Sequence, residues 1–148
     1  MNKRKNIIVI NGPNLNLLGE REQDIYGQQT LPEINDWIRK CADEMNIAVK
    51  FFQSNHEGEI IDFIQEMRKW ADGIVINPGA LTHYSYALRD ALSAVNVPAV
   101  EVHLSDITRR EKFRKISVVK DVCVKQIFGL GPKGYLDALK YFTLNELH

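Results

Sequence analysis

Short apolar runs alternate with longer amphipathic stretches along this chain, and that alternation limits the fold more than any other feature. Residues 5–11 (KNIIVIN), 48–52 (AVKFF), 73–77 (GIVIN), 99–103 (AVEVH) and 122–128 (VCVKQIF) read as strands. The first and third are near-continuous apolar runs, as expected of strands buried on both faces. Between the strands the apolar period lengthens to that of a helix. Thr30-Leu31-Pro32-Glu33 matches a capping box with Pro32 in the first turn. The helix it opens places Ile34, Ile38, Cys41, Ala42 and Met45 on one stripe. A second helix begins at Asn55 or His56 and carries Ile60, Ile61, Ile64, Met67 and Ala71. A third holds Leu88, Ala91, Leu92 and Val95 and stops before Pro98. The last, after the turn at 129–134, holds Tyr135, Leu136, Leu139 and Phe142. Residues 104–120 are polar and basic and read as loop with one short helix.

The order β-α-β-α-β-α-β-loop-β-α implies a parallel sheet with helices on both faces. Right-handed crossovers leave few topologies, and five strands favour the flavodoxin-like α/β order 2-1-3-4-5, a three-layer sandwich. A length of 148 residues is that of one domain, spanning 1–148. It is long enough to bury roughly 68–70% of the extended chain's surface. The formal net charge is zero, which argues against a nucleic-acid binder. The apolar run near the N-terminus is too short for a signal peptide or a membrane span. Cys41, on a helix face, and Cys123, in the fifth strand, make no disulfide framework and read as reduced residues of a cytoplasmic protein.

One connection is too long for its place. After the first strand comes INGPNLNLLGEREQDIYG (10–27), rich in asparagine and glycine and without a helical period in its front half. Connections in α/β units usually run about 2–6 residues, and long ordered loops at strand ends are commonly lids or binding loops. Ligands of open parallel sheets bind outside the carboxyl ends of the strands. Those ends carry Asn11 and the loop with Arg21 and Tyr26, then Gln53–His56, then Asn77 running to His83, then Glu101 and His103-Leu104-Ser105. Arg110 and Arg114 follow and can fold over the same rim. Cationic, amide and imidazole groups gathered there suit a small polyhydroxylated carboxylate.

The residue types suggest a reaction. A tyrosine is a poor base at neutral pH, and bringing it from about 10 to about 7 requires ~4 kcal/mol of differential stabilisation. A guanidinium beside it favours the phenolate; Arg21 is in position for this, and Arg110 can add to it. A tyrosinate can take a proton from a carbon next to a ketone. Asn77 can hold the enolate oxygen, directly or through a water, and His103 can protonate a leaving hydroxyl. The set reads as elimination of water without a cofactor. Each member also has a plainer reading. Asn77 before Pro78-Gly79 fits a turn former, His103 a structural histidine, Tyr26 a packing aromatic and Arg21 a solvated charge. Glu101 either orients His103 or pairs with an arginine. Their convergence on separate strand ends lifts the group above its members.

Two motifs lead elsewhere. Gly129-Leu130-Gly131-Pro132-Lys133-Gly134 matches GxGxxG but lacks a following strand and its acidic residue, so it reads as a tight strand-to-helix turn. The four histidines, His148 at the terminus included, form no metal-ligand spacing.

Six blocks carry a resemblance over nearly the whole chain: NGPNLNLLG (11–19), RE and IYG within 21–27, QSNHEGEIID (53–62), INPGALTH (76–83) with ALRDAL (87–92), EVHLS (101–105) and GLGPKGYLDAL (129–139). The chain resembles the type II 3-dehydroquinate dehydratases. The resemblance implies reversible anti elimination of water from 3-dehydroquinate to 3-dehydroshikimate through an enolate, without metal or cofactor, in the shikimate pathway or in quinate breakdown. It implies Tyr26 as general base with Arg21 assisting, and Asn77 with a water at the enolate. His103 is implied as general acid, supported by Glu101. Asn14, Asn77, His83, Asp90, Leu104, Ser105 and Arg114 match substrate-binding positions, Leu104 and Ser105 through their backbone. Family members are homo-oligomers, dodecamers built of trimers, and Asp90 is implied to come from a neighbouring subunit. The stretch from about Leu18 to Tyr26 matches a mobile lid. Glu20 and Gln23 stand where a threonine and a proline are more usual, which predicts a more mobile lid. Asp106-Ile107-Thr108 replaces a more usual Asn-Val-His run. Two other classes compete. A flavodoxin- or receiver-like module would want a flavin phosphate loop or an acidic phosphoacceptor after strand one, where Asn11-Gly12-Pro13-Asn14 stands. An inactive structural oligomer would not need Arg21, Tyr26, Asn77 and His103 together.

Overall fold

The computed structural model describes residues 3–20 and 22–144. Five strands, β1 (Lys5–Asn11), β2 (Ile47–Gln53), β3 (Gly73–Asn77), β4 (Ala99–His103) and β5 (Lys125–Phe128), form one all-parallel sheet in the order β2-β1-β3-β4-β5. This is the flavodoxin-like order expected from the alternation of elements. The helices are α1 (Gln23–Tyr26), α2 (Leu31–Glu44), α3 (Glu57–Met67), α4 (Tyr86–Val95) and α5 (Lys133–Leu144).

Side-chain alternation along the strands sorts the core into two layers. Ile7 and Val9 of β1, Val75 of β3 and Val100 and Val102 of β4 pack with α2 and α5. Ile8 and Ile10, Ile74 and Ile76, and Ala99 pack with α3 and α4. That is why β1 and β3 are apolar at successive positions: each face has a helix layer to cover it.

The capping box at α2 is present. The Thr30 side chain accepts from Glu33 N–H, and the Glu33 carboxylate accepts from Thr30 N–H. His56 precedes α3 and Ser85 caps α4, accepting from Leu88 N–H at 3.0 Å. Two expectations need correction. The fifth strand is shorter than 122–128: residues 120–122 form a 3-10 turn, and Cys123 lies between that turn and the strand. Val122 and Cys123 are apolar because they pack on the α3–α4 layer, not because they join the ladder. Residues 104–120 hold two 3-10 turns, Ile107–Arg109 and Lys112–Lys115, where one short helix was expected.

The carboxyl rim is built by close approach of two loops. Gly12 N–H donates to Asn77 O at 2.8 Å, and a Cβ on Gly12 would sit 2.4 Å from Pro78 O. Gly79, at φ 60°, faces Pro13 O in the same way. The β1 and β3 loops can therefore meet backbone to backbone, which puts Asn14 and Asn77 on one wall.

Candidate active site

A pocket opens at this rim, lined by Asn14 after β1, Tyr26 on α1, Asn77 and His83 after β3, and His103 at the end of β4. Leu104, Ser105, Arg110 and Arg114 complete it. Most of the expected residues thus converge; of the other three, Glu101 lies behind His103. Asp90 is exposed on α4 and does not line the pocket. Arg21 lies outside the described residues, as does His148.

Tyr26 sits at the end of a single helical turn, with a left-handed Glu22 before it and Gly27, at φ 86°, after it. Its hydroxyl accepts a hydrogen bond from Arg110 Nη1 at 2.6 Å, and that guanidinium also lies 5.4 Å from the Tyr26 ring centroid. Arg110 is half-buried and has Glu22 at 3.8 Å on its other side. Of the two arginines that the sequence placed over the rim, Arg110 reaches the phenol. Arg114 also lines the pocket, with its Nε donating to Glu111 at 2.6 Å.

On the inner wall, His103 and Glu101 point to the α3–α4 side of β4. His103 Nε2 is 2.5 Å from Glu101 Oε2. Glu101 is fully buried and collects donors: Thr82, Ser117 at 2.9 Å and Gln126 at 3.2 Å. Burial alone pushes this carboxyl up, but the hydrogen bonds and charge of His103, with those of Thr82 and Ser117, outweigh it and hold it below its ordinary value. An ionised Glu101 can only accept, so His103 Nε2 carries the hydrogen and Nδ1 is left for the pocket. Of the two partners open to Glu101, His103 is the one it meets.

His83 Nδ1 faces Ile116 O at 2.6 Å, so it too carries its hydrogen there, leaving Nε2 as an acceptor. Burial depresses the His83 imidazole and keeps it neutral, against the opposing effect of that carbonyl. Asn14 is held in the left-handed region at φ 70°, where its N–H donates to Asn55 Oδ1 at 2.9 Å.

The GxGxxG turn has a structural task. Gly131 N–H donates to Leu104 O at 3.0 Å and Gly129 N–H to Ser105 O at 3.1 Å, with both glycines at positive φ. In a trans peptide the carbonyl and the following N–H point opposite ways. Tying the Leu104 carbonyl back to Gly131 therefore turns the Ser105 N–H away from it. The reading of this motif as a tight turn is borne out.

In the stretch expected to act as a lid, Gln23 Nε2 donates to Gly19 O at 2.7 Å, a tie that a proline there could not make. Asp106 accepts from the Thr108 hydroxyl at 2.5 Å and from Thr108 N–H at 2.9 Å, and these hydrogen bonds hold its carboxyl below its ordinary value. Among the described residues, no three histidine, cysteine, aspartate or glutamate side chains cluster as a metal would need. Several supporting residues left no sequence signal. Tyr135 read as core, Ser117 as loop and Asn55 as a helix start.

A doubly wound sheet whose strand ends frame a small polar pocket, with a hydrogen-bonded histidine–glutamate pair on one wall, fits an enzyme of small polar molecules. Residues 5–143 match the model of the family described as dehydroquinase class II, and the chain belongs to that family. It is 60% identical over 134 residues to the 3-dehydroquinate dehydratase of Halothermothrix orenii, covering 90% of each chain. It is 50% identical over 139 residues to that of Bacillus subtilis, covering 94% of each. The type II dehydroquinase of Butyrivibrio crossotus superposes with a TM-score of 0.92 at 52% identity, covering 93% of this chain and 97% of the other. That of Propionibacterium acnes gives 0.92 at 38% identity, covering 97% and 99%.

Proposed function

We infer that this protein is a 3-dehydroquinate dehydratase, a hydro-lyase of class II. The observation that carries the reading is the pairing across one pocket of a phenol held by a guanidinium, Tyr26 with Arg110 at 2.6 Å, and a carboxylate-backed imidazole, His103 with Glu101 at 2.5 Å. One supplies a base and the other an acid, as elimination requires.

The steps balance on side chains of this chain. Ionised Tyr26 takes the proton from the carbon beside the substrate ketone, and the electron pair moves into an enolate. Asn77 meets the enolate oxygen, directly or through a water. Arg110 donates to the Tyr26 oxygen, which carries the negative charge until it takes the proton, and Arg21 assists from the same loop. The enolate then reforms the ketone and expels the hydroxyl on the next carbon. That hydroxyl takes a proton from Nδ1 of the doubly protonated His103, whose Nε2–H stays on Glu101, and leaves as water, giving the conjugated enone 3-dehydroshikimate. Glu101 balances the charge on His103. Asn14, neutral His83 and Arg114 contact the hydroxyls and carboxylate of the substrate, with the backbone of Leu104 and Ser105 at the carboxylate.

The same reading takes residues 1–148 as one catalytic domain and residues 18–26 as a lid. It places the enzyme in the cytoplasm, in the shikimate route or quinate breakdown. Asp90 is exposed on α4 and does not line its own pocket, and this reading has it serve a neighbouring copy in a homo-oligomer, trimers assembled as a dodecamer.

The test is ultraviolet absorbance of the enone on mixing with 3-dehydroquinate, with and without chelator, alongside Tyr26→Phe. The wild type should turn over regardless of chelator, and the variant should lose about 10²–10⁴ in kcat. No product from folded wild type would overturn the reading, and full activity in Tyr26→Phe would remove Tyr26 as the base.

A further inference from the structure

Two side chains that do not line the pocket stand behind the histidine on its inner wall. Glu101 and Gln126 are register partners across β4 and β5. Alternation puts Ile127 on the α2–α5 side of β5 and Gln126 on the other side, next to Glu101. Gln126 Nε2 lies 3.2 Å from Glu101 Oε1. Ser117 Oγ reaches the same oxygen at 2.9 Å and Oε2 at 3.0 Å. Thr82 and His103 take Oε2. Ser117 is held in place from both sides without help from the carboxylate. Ile116 O meets His83 Nδ1 at 2.6 Å, and Val118 N–H donates to Thr82 O at 2.7 Å.

Chemistry fixes the direction of each bond. Lys120 N–H can only donate, so the Ser117 oxygen accepts there and its own proton is free to turn to Glu101. An ionised carboxylate can only accept, so the Gln126 atom that faces it is the amide nitrogen. The charge of Glu101 is thus shared between neutral donors and the imidazole. Each neutral donor weakens the pull of that charge on the imidazolium, and a less strongly held imidazolium gives up its Nδ1 proton more readily to the leaving hydroxyl.

We infer that Ser117 and Gln126 are positioning residues for the elimination that act through Glu101: by donating to its outer oxygen they keep His103 a strong enough acid to release its proton to the leaving group. This rests on the dehydratase reading above. Other charged and titratable groups face the pair. Burial pushes the Cys123 thiol up to about 12, so it stays neutral behind Glu101. His83 is depressed from 6.5 by burial and is neutral above that value, while Arg114 keeps its charge throughout. Tyr26 and Arg110 lie across the pocket and belong to the base.

The pH profile of kcat for 3-dehydroquinate tests it. The reaction needs Tyr26 ionised and His103 protonated, so the profile has an acidic and a basic limb. Gln126→Met keeps the length of the side chain and removes the donor. Its basic limb should move up by about half to one pH unit, because the unshared charge on Glu101 holds the imidazolium to higher pH. The plateau should fall roughly two- to fivefold as the acid weakens, and the acidic limb should stay in place. Ser117→Ala should move the basic limb the same way, and the double variant further. A purely structural role would lower the plateau and leave both limbs where they are. A basic limb that stays put or moves down in Gln126→Met overturns the proposal. Should that variant fail to fold, the same result in Ser117→Ala overturns it. Inactive wild type would instead overturn the dehydratase reading, and the proposal with it.

Discussion

Glu101 is the residue on which most of the inner wall depends. Four donors, from His103, Thr82, Ser117 and Gln126, converge on one fully buried carboxylate. A glutamine at this position replaces one acceptor oxygen by a donor, so at least one hydrogen bond becomes a clash of donors. Glu101→Gln should cost about 1–3 kcal/mol of stability, read by urea denaturation. The pH dependence follows from the same bonds. Glu101 is held below its ordinary 4.5, so its contribution is complete above that value and is lost as pH falls through the lower folded value. His83 is depressed from 6.5 by burial, so the unfolded chain binds a proton that the folded one refuses. Its contribution is complete above 6.5 and declines as pH drops below it. Denaturation across pH should therefore show a decline beginning near 6.5 and a second below 4.5. His83→Asn should flatten the upper decline and Glu101→Gln the lower.

At the scale of elements, the turn between β5 and α5 links an apparent cofactor motif to Leu104 and Ser105, the corner proposed to meet the substrate. Gly129 is at φ 81°, a region where a β-carbon is strained, and its N–H holds the Ser105 carbonyl. Gly129→Ala should loosen the corner at Leu104 and Ser105 without touching Tyr26 or His103. The expected outcome is a rise in KM with kcat nearly unchanged, together with about 1 kcal/mol of lost stability. A fall in kcat at constant KM would place the turn in the chemical step instead. The stretch proposed as a lid is a second case. Without its usual proline it was expected to be looser, yet Gln23 ties it to Gly19 O at 2.7 Å. The residue that removes one restraint supplies another of a different kind.

For the whole molecule, the exposed position of Asp90 on α4 makes assembly part of the functional question. If its carboxylate serves a neighbouring pocket, the protein in solution is a closed oligomer, and light scattering should give a mass near twelve copies, with trimers on mild dissociation. A mass near the monomer value of 17.0 kDa would remove Asp90 from the site. The sequence by itself determined the sheet, its order and the strand ends that carry the candidate residues. Those follow from local periodicity and from the rule that parallel strands point one way, both written in consecutive residues. Even the capping box of α2 was legible, because its partners lie three residues apart. The tertiary structure alone decided which groups meet. Tyr26 finds Arg110 across 84 positions, and Tyr135 finds Asn11 across 124. It also decided where β5 begins, since an apolar residue reads the same whether it pairs in a ladder or only packs against a helix. Periodicity reports the face on which a side chain lies, whereas a contact between distant residues depends on how closely the layers stack, and here that distance is set by glycines such as Gly73 and Gly134.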